Sequence, residues 1–194
     1  ETGKLLWEYD GGTRERAKSA LQMSWGSKGI AYDKGHVFLV TTDGYVVSLD
    51  ARTGKEAWKV HDYPDDSPRN SNGAPRVFAG KVIVGFGGAD ISPARGFVTA
   101  YDENTGKKVW RFYTTPGDTV TPANQKAEEV MRKTWPSGWK NEDGTRRGGG
   151  GTAWNAFSYD PDLNMLYIGV GNGFPYNRDK RSPGGGDNLF LASI

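Results

Sequence analysis

An all-β chain built from repeated blades is the fold class this sequence predicts, and three observations predict it. The first is a repeat: Thr2-Gly3-Lys4-x-x-Trp7, Thr53-Gly54-Lys55-x-x-Trp58 and Thr105-Gly106-Lys107-x-x-Trp110 are one hexapeptide met three times, with tryptophans 51 and 52 residues apart. The second is that matching pairs of β-like runs precede the later two copies. Val37-Phe38-Leu39-Val40 pairs with Tyr45-Val46-Val47-Ser48-Leu49, and Val82-Ile83-Val84 with Phe97-Val98-Thr99-Ala100-Tyr101. The third is composition. The 194 residues include 28 glycines, about twice ordinary usage, without a G-X-Y period, together with 7 Trp, 9 Tyr and 8 Phe. A disordered chain does not carry that many large apolar plates.

Taken in order, each unit reads as a strand, a turn, a strand, a D-x-x-T-G-K turn and a strand carrying tryptophan. Thr42-Asp43-Gly44 is a hairpin signal between the first two runs. Asp50 and Asp102 precede Trp58 and Trp110 at one fixed offset. Gly3, Gly54 and Gly106 are placed to supply the positive φ of the turn. The tryptophan is a plate suited to packing between neighbouring units. A unit of about fifty residues cannot bury its own two faces, so the units must stack, which is the pattern of a β-propeller blade.

The fourth unit departs from this pattern. Residues 121–133 suit a short helix opened near Thr121-Pro122, inside an insertion at about 117–150 that ends in Arg146-Arg147 and four glycines. Residues 164–170 read as a strand, but no T-G-K-x-x-W follows, and Leu189-Phe190-Leu191 at the end is strand-like. The expectation is one partial propeller domain, residues 1–194, of about four blades. A closed ring needs more, so the chain is either a piece of a longer protein or an arc with two raw edges.

Composition also excludes. A net charge of +2 is too small to steer the chain onto nucleic acid or an anionic membrane. No apolar run approaches the roughly 18 residues of a membrane span. The absence of cysteine removes disulfides, thiolate metal sites and covalently attached haem. His36 begins a strand and His61 falls in a polar loop, with no partner histidine for zinc.

Four further segments carry a family resemblance. They are Gly87-Gly88-Ala89-Asp90 with residues 95–102, residues 109–118 (V-W-R-F-Y-T-T-P-G-D), Gly149-Gly150-Gly151-Thr152-Ala153-Trp154, and Gly169-Val170-Gly171-Asn172-Gly173 with residues 181–188 (R-S-P-G-G-G-D-N). Together they resemble the pyrroloquinoline-quinone (PQQ)-dependent alcohol dehydrogenases, periplasmic eight-bladed quinoproteins of the methanol and ethanol dehydrogenase type. The resemblance covers nearly the whole chain.

It implies a fragment of an enzyme that oxidises primary alcohols to aldehydes with PQQ and Ca²⁺, or a lanthanide, passing electrons to a cytochrome c or a quinone acceptor. By position, Asp90 is a carboxylate ligand to the metal and Asn172 an amide-oxygen ligand. Two are too few for a cation that takes six to eight oxygens, so the quinone and another carboxylate must supply more. Trp154 lies flat against the quinone, Thr152 bonds a cofactor carboxylate, and Gly88 and Ala89 let backbone approach. Lys28 stands where the family has an arginine, Asn72 where it has a threonine, and Asp90 where it has a glutamate. The family's adjacent cysteines fall in Gln22-Met23-Ser24-Trp25, so their disulfide is impossible. The family's general base falls beyond Ile194, a further cofactor-binding glutamate falls before Glu1, and Asp187 reads as a turn residue. No catalytic residue is assigned within the chain.

Two other readings remain open. The same tryptophan-docked propeller serves outer-membrane assembly lipoproteins, which bind partner peptides and no cofactor. A degenerate quinoprotein kept as a binding module also fits Lys28 and the missing cysteines.

Overall fold

A computed structural model describes residues 2–17, 27–63, 73–154 and 157–194. Two four-stranded antiparallel sheets form its centre. One runs in order β1 (Ala31–Asp33), β2 (His36–Val40), β3 (Tyr45–Asp50) and β4 (Glu56–His61). The other runs β5 (Arg76–Phe78), β6 (Lys81–Gly85), β7 (Phe97–Asp102) and β8 (Lys108–Tyr113). Their registers are equivalent: Trp58 faces Ser48 and Trp110 faces Ala100, each beside a bulge at Ser48/Leu49 or Ala100/Tyr101. These are two complete blades, followed by the hairpin β9 (Phe157–Asp160) and β10 (Met165–Ile168) of a further unit.

The repeat hexapeptide explains how the units join. Asp50 Oδ1 accepts from the backbone of Arg52 and Thr53 and from Thr53 Oγ1, and Asp102 does the same with Asn104 and Thr105. The turn ends in left-handed glycine, φ 71° at Gly54 and 68° at Gly106. The preceding unit's tryptophan lies on that glycine. Trp7 Nε1 donates to Ala51 O at 2.9 Å, and Trp58 Nε1 to Glu103 O at 3.0 Å. A Cβ on Gly54 or Gly106 would stand 2.7 Å from the respective indole. Trp7 and Trp58 thus occupy matching positions, while Trp110 packs with Phe157, Leu166 and Ile168 of the next hairpin.

Core strands are buried on both faces, as stacked blades require. Phe38, Val40 and Val46 of the first blade meet Val82, Val84 and Tyr101 of the second. Ile83, Val98 and Ala100 point the other way, toward Ala153 and the β9–β10 hairpin. Lys34 Nζ adds a bond across the blades, to Glu103 at 2.9 Å. A buried network, Tyr101 OH and Arg111 Nη2 each 2.6 Å from Asp62 Oδ1, ties β7 and β8 to the chain leaving β4.

The insertion holds a 3-10 turn at Pro122–Asn124 and helix α2 (Gln125–Lys133), so the expected helix is present. Glu128 anchors it, accepting from Arg95 at 2.6 Å and from Gly117 N at 2.9 Å. The glycine run 148–151 is buried and forms strand β11 (Gly149–Gly150), paired antiparallel with β12 (Gly173–Phe174).

Two expectations are corrected. Residues 189–191 form a turn rather than a strand: Asn188 is left-handed at φ 52°, and Leu191 N donates back to Asn188 O. Thr134 holds that turn by accepting from Asn188 N and Leu189 N, leaving no ladder partner for it. His61 is the last residue of β4, its ring tilted against Tyr45 with centroids 4.6 Å apart, because the ladder with β3 runs on to pair it with Tyr45. Two elements were not legible: β1 and β5, three residues each, turn into β2 and β6 through Lys34-Gly35 and Ala79-Gly80, all four at positive φ. Among the described residues no helix is long and apolar enough to cross a membrane.

Candidate functional site

The β11–β12 ribbon brings the expected site segments side by side. Gly151 N donates to Asn172 O at 2.9 Å, and Gly171 N to Thr152 O at 2.7 Å. The segment carrying Asp90 runs along the same ribbon, with Gly150 N bonded to Ala94 O, Gly96 N to Gly150 O, and Ala153 N to Phe86 O. Three stretches distant in sequence therefore share one backbone scaffold.

Beside it lies a cavity of about 420 Å³, walled by Thr152 and Trp154 on one side and by residues 169–171 and 192–194 on the other. That size is at the lower end for small-molecule sites. Thr152 is 1% exposed, and its Oγ1 is a buried hydroxyl with no hydrogen-bond partner among the described residues. Native proteins rarely leave such a group unpaired, since its desolvation costs about 1–3 kcal/mol. Gly171 leaves the space in front of it: a Cβ there would stand 2.6 Å from Thr152 Oγ1.

Trp154 presents a ring face that carries Lys28 Nζ 3.6 Å from its centroid. The two expected cofactor residues are thus brought together, and the cation sits where an electron-rich ring attracts it. Asn72 lies outside the described residues, although its neighbour Gly73 packs on the Trp154 carbonyl. Gly88 is left-handed at φ 89°, and its carbonyl accepts from Ser92 Oγ at 3.1 Å. Ala89 is fully buried against Tyr63, Phe86, Ala94 and Phe97, so its small side chain serves packing.

Asp90 is half-buried, and its carboxylate has no hydrogen-bond or ion-pair partner among the described residues. Asn172 uses its side-chain nitrogen on Gly173 O at 3.2 Å, leaving Oδ1 unengaged. It borders a second cavity of about 310 Å³ shared with Tyr176, Arg181 and Asp187. Among the described residues no group of three His, Asp or Glu could hold a metal. A cation on Asp90 and Asn172 would therefore take most of its oxygens from elsewhere.

Among the described residues the donor set is one unpaired carboxylate, one unpaired amide oxygen, an orphaned buried hydroxyl, and an aromatic ring with an ammonium on its face. It fits a flat, carboxylate-bearing cofactor together with a hard cation. Sequence reasoning missed Gly73, the wall at 192–194 and the packing role of Arg181. Only Arg181 had a signal, its place in the R-S-P-G-G-G-D-N segment.

Comparison with known proteins bears on the fold and the family. Residues 1–111 match the family model for outer membrane protein assembly factor BamB. Residues 63–194 match the model for the glucose/ethanol/alcohol dehydrogenase β-propeller domain. The quinohemoprotein alcohol dehydrogenase ADH IIB of Pseudomonas putida is 46% identical over 196 residues, covering all of this chain and 27% of its own length. The structure of the quinohemoprotein alcohol dehydrogenase of Comamonas testosteroni superposes with a TM-score of 0.86 at 41% identity, covering 98% of this chain and 28% of its own. A europium-containing methanol dehydrogenase gives a TM-score of 0.73 at 35% identity, over 95% of this chain and 32% of its own. The chain spans about a quarter to a third of the length of these relatives. With that model matching about two thirds of its residues, the chain belongs to the glucose/ethanol/alcohol dehydrogenase β-propeller family.

Proposed function

We propose that this chain is the part of a periplasmic PQQ-dependent alcohol dehydrogenase that seats the quinone and holds one side of its cation. The whole protein would oxidise primary alcohols to aldehydes and pass electrons to a cytochrome c or a quinone acceptor. When bound, the quinone supplies the redox chemistry and the cation polarises it. The chain's own residues do the seating. Trp154 offers a stacking plate worth about 0.5–1.5 kcal/mol beyond its area. Thr152 Oγ1 donates to a cofactor carboxylate, and Lys28 neutralises negative charge at the ring edge. Lysine does so as a point charge, without the planar fork of an arginine. Gly88 and Ala89 keep the Asp90 turn close to the ribbon, and Asn72 belongs to the stretch ending at Gly73. Asp90 and Asn172 direct oxygens at Ca²⁺, or at a lanthanide as in the europium-containing relative.

The single observation that carries this reading is the buried, unpartnered Thr152 hydroxyl beside Trp154. A propeller scaffold has no use for it. The scaffold reading is supported by the match over residues 1–111, which contains the repeats but neither Thr152, Trp154 nor Asn172.

The test is calorimetric titration of PQQ, with Ca²⁺ present, into the wild type and Thr152→Val. Valine keeps the shape and deletes an unsatisfied group, so stability should hold or rise. Quinone affinity should fall roughly 10-fold or more, the worth of a hydrogen bond to a charged partner. Equal affinity in the two proteins would overturn the assignment of Thr152, and no binding by either would overturn the cofactor reading.

A further inference from the structure

We infer that Arg181 is a positioning residue that fixes Asn172 in place for its cation and couples it to the insertion. The inference rests on the cofactor reading above and concerns a side chain that reading does not use. Arg181 is 8% exposed and makes no ion pair among the described residues. Burial, and then the charge of Arg178, push its pKa below the ordinary arginine value. A guanidinium kept indoors without a carboxylate must be held by neutral acceptors, and these identify what it clamps.

Nη1 donates to Pro175 O at 2.5 Å and to Tyr176 O at 3.3 Å, and Nε donates to Asn188 Oδ1 at 3.2 Å. The guanidinium lies on the Cα of Gly173, where an added Cβ would stand 2.7 Å from both Cζ and Nε. Its stem lies on Gly148, where a Cβ would stand 2.5 Å from Cγ. Gly173 begins β12 and directly follows Asn172, and Gly148 directly precedes β11. Arg181 therefore presses on both strands of the ribbon that carries Asn172 and Thr152.

The other end of the clamp reaches the insertion. Asn188 N and Nδ2 donate to Thr134 O at 3.1 and 3.3 Å, and Leu189 N donates to Thr134 Oγ1 at 3.0 Å. Thr134 caps the C-terminus of α2. The path from α2 to Asn172 thus runs Thr134, Asn188, Arg181, Gly173. Among the described residues the side chain of Asn172 has one hydrogen bond, to Gly173 O. Its direction is consequently set by the backbone that Arg181 holds, as supporting residues orient metal ligands elsewhere.

The experiment measures Ca²⁺ affinity by calorimetry in saturating PQQ, and PQQ affinity in metal-free buffer, for the chain and four variants. Arg181→Lys keeps the charge but loses the fork, and Arg181→Met keeps the stem. Asn188→Gly tolerates the left-handed backbone and cuts the link to Thr134. Gly80→Ala, in the open β5–β6 turn away from the insertion and the ribbon, adds left-handed strain alone and controls for general destabilisation. Arg181→Lys and Arg181→Met should weaken Ca²⁺ about 10-fold or more, with PQQ affinity in metal-free buffer changed less than about 2-fold. Asn188→Gly should give a smaller loss in the same direction, and it carries the test if the Arg181 variants do not fold. Gly80→Ala should leave Ca²⁺ affinity at the wild-type value.

Wild-type Ca²⁺ affinity in the Arg181 variants, or in Asn188→Gly when it stands alone, overturns the inference and leaves the cofactor reading standing. Parallel loss of both ligands, or the same loss in Gly80→Ala, overturns it as a merely structural role. A wild-type chain that binds PQQ but no Ca²⁺ removes the metal assignment and this inference with it.

Discussion

Replacing Gly106 by alanine should damage the joint between the two complete blades, and the structure separates the damage into two parts. Gly106 sits at φ 68°, where an alanine pays about 1–2 kcal/mol of left-handed strain. The new Cβ would also stand 2.7 Å from the indole of Trp58, so the ring must move off its seat. Crowding of this kind costs a further 1–3 kcal/mol or so. Gly80 supplies the control: its φ is 70°, and a Cβ there meets nothing within 4 Å. Gly80→Ala should cost the strain alone. The entropy that alanine removes from the unfolded chain is common to both and cancels. The expected difference is about 1–3 kcal/mol, read as a lower urea midpoint at unchanged m in tryptophan-fluorescence unfolding. Gly54→Ala should resemble Gly106→Ala, because Trp7 is seated on it at the same 2.7 Å. If Gly106→Ala costs no more than Gly80→Ala, the tryptophan seat is not what joins the blades.

Three other outcomes follow from the same coordinates. Asp62→Asn should destabilise by about 3–5 kcal/mol in urea, since it strands the buried Arg111 guanidinium, whereas Tyr101→Phe should cost about 1 kcal/mol. The Thr53 and Thr105 hydrogen bonds hold the Asp50 and Asp102 carboxylates below the usual aspartate range. Their stabilisation is therefore complete above the unfolded value near pH 4 and is lost as pH falls through the lower folded values. The urea midpoint of the wild type should drop more steeply below pH 4 than that of Asp50→Asn/Asp102→Asn. Lastly, the 194-residue chain given PQQ and Ca²⁺ should show no dye reduction with ethanol or longer primary alcohols. Among the described residues the wall of the Trp154 cavity carries no side-chain carboxylate or imidazole placed to take the alcohol proton. Steady turnover abolished by Trp154→Ala would refute this.

What could be read in advance divides along physical lines. The blades were legible because the D-x-x-T-G-K turn needs a carboxylate, a hydroxyl and a glycine at fixed offsets, and the tryptophan needs that glycine bare. The outermost strands β1 and β5 escaped because three residues give no periodicity, and Lys34-Gly35 and Ala79-Gly80 lack the Asn or Asp that marks such turns. The run at 189–191 misled for a related reason: three apolar residues suit a strand, but Asn188 and Thr134 capture the backbone first. At the site, Thr152, Trp154 and Lys28 were named through segment likeness, and geometry then added the hydroxyl without a partner among the described residues and the cation on the ring. Arg181 was marked only by its place in a matching segment, and its role was not legible, because its partners are backbone carbonyls, the Asn188 amide oxygen and bare glycine Cα atoms.

The seat of Trp58 lies in the turn of the following blade, so the stretch that repeats in sequence and the sheet that packs as a body are offset from one another. A segment running from just after one T-G-K through the next carries the last strand of one sheet and the first three of its neighbour. Grafting such a cassette into another propeller would therefore exchange parts of two sheets and keep each tryptophan with its own glycine seat. A cassette cut at the sheet edges would instead exchange one whole sheet and sever the indole contact at each end. Natural recombination between relatives should tolerate the first kind of exchange more readily, and the boundary of inheritance would then fall in the middle of a blade.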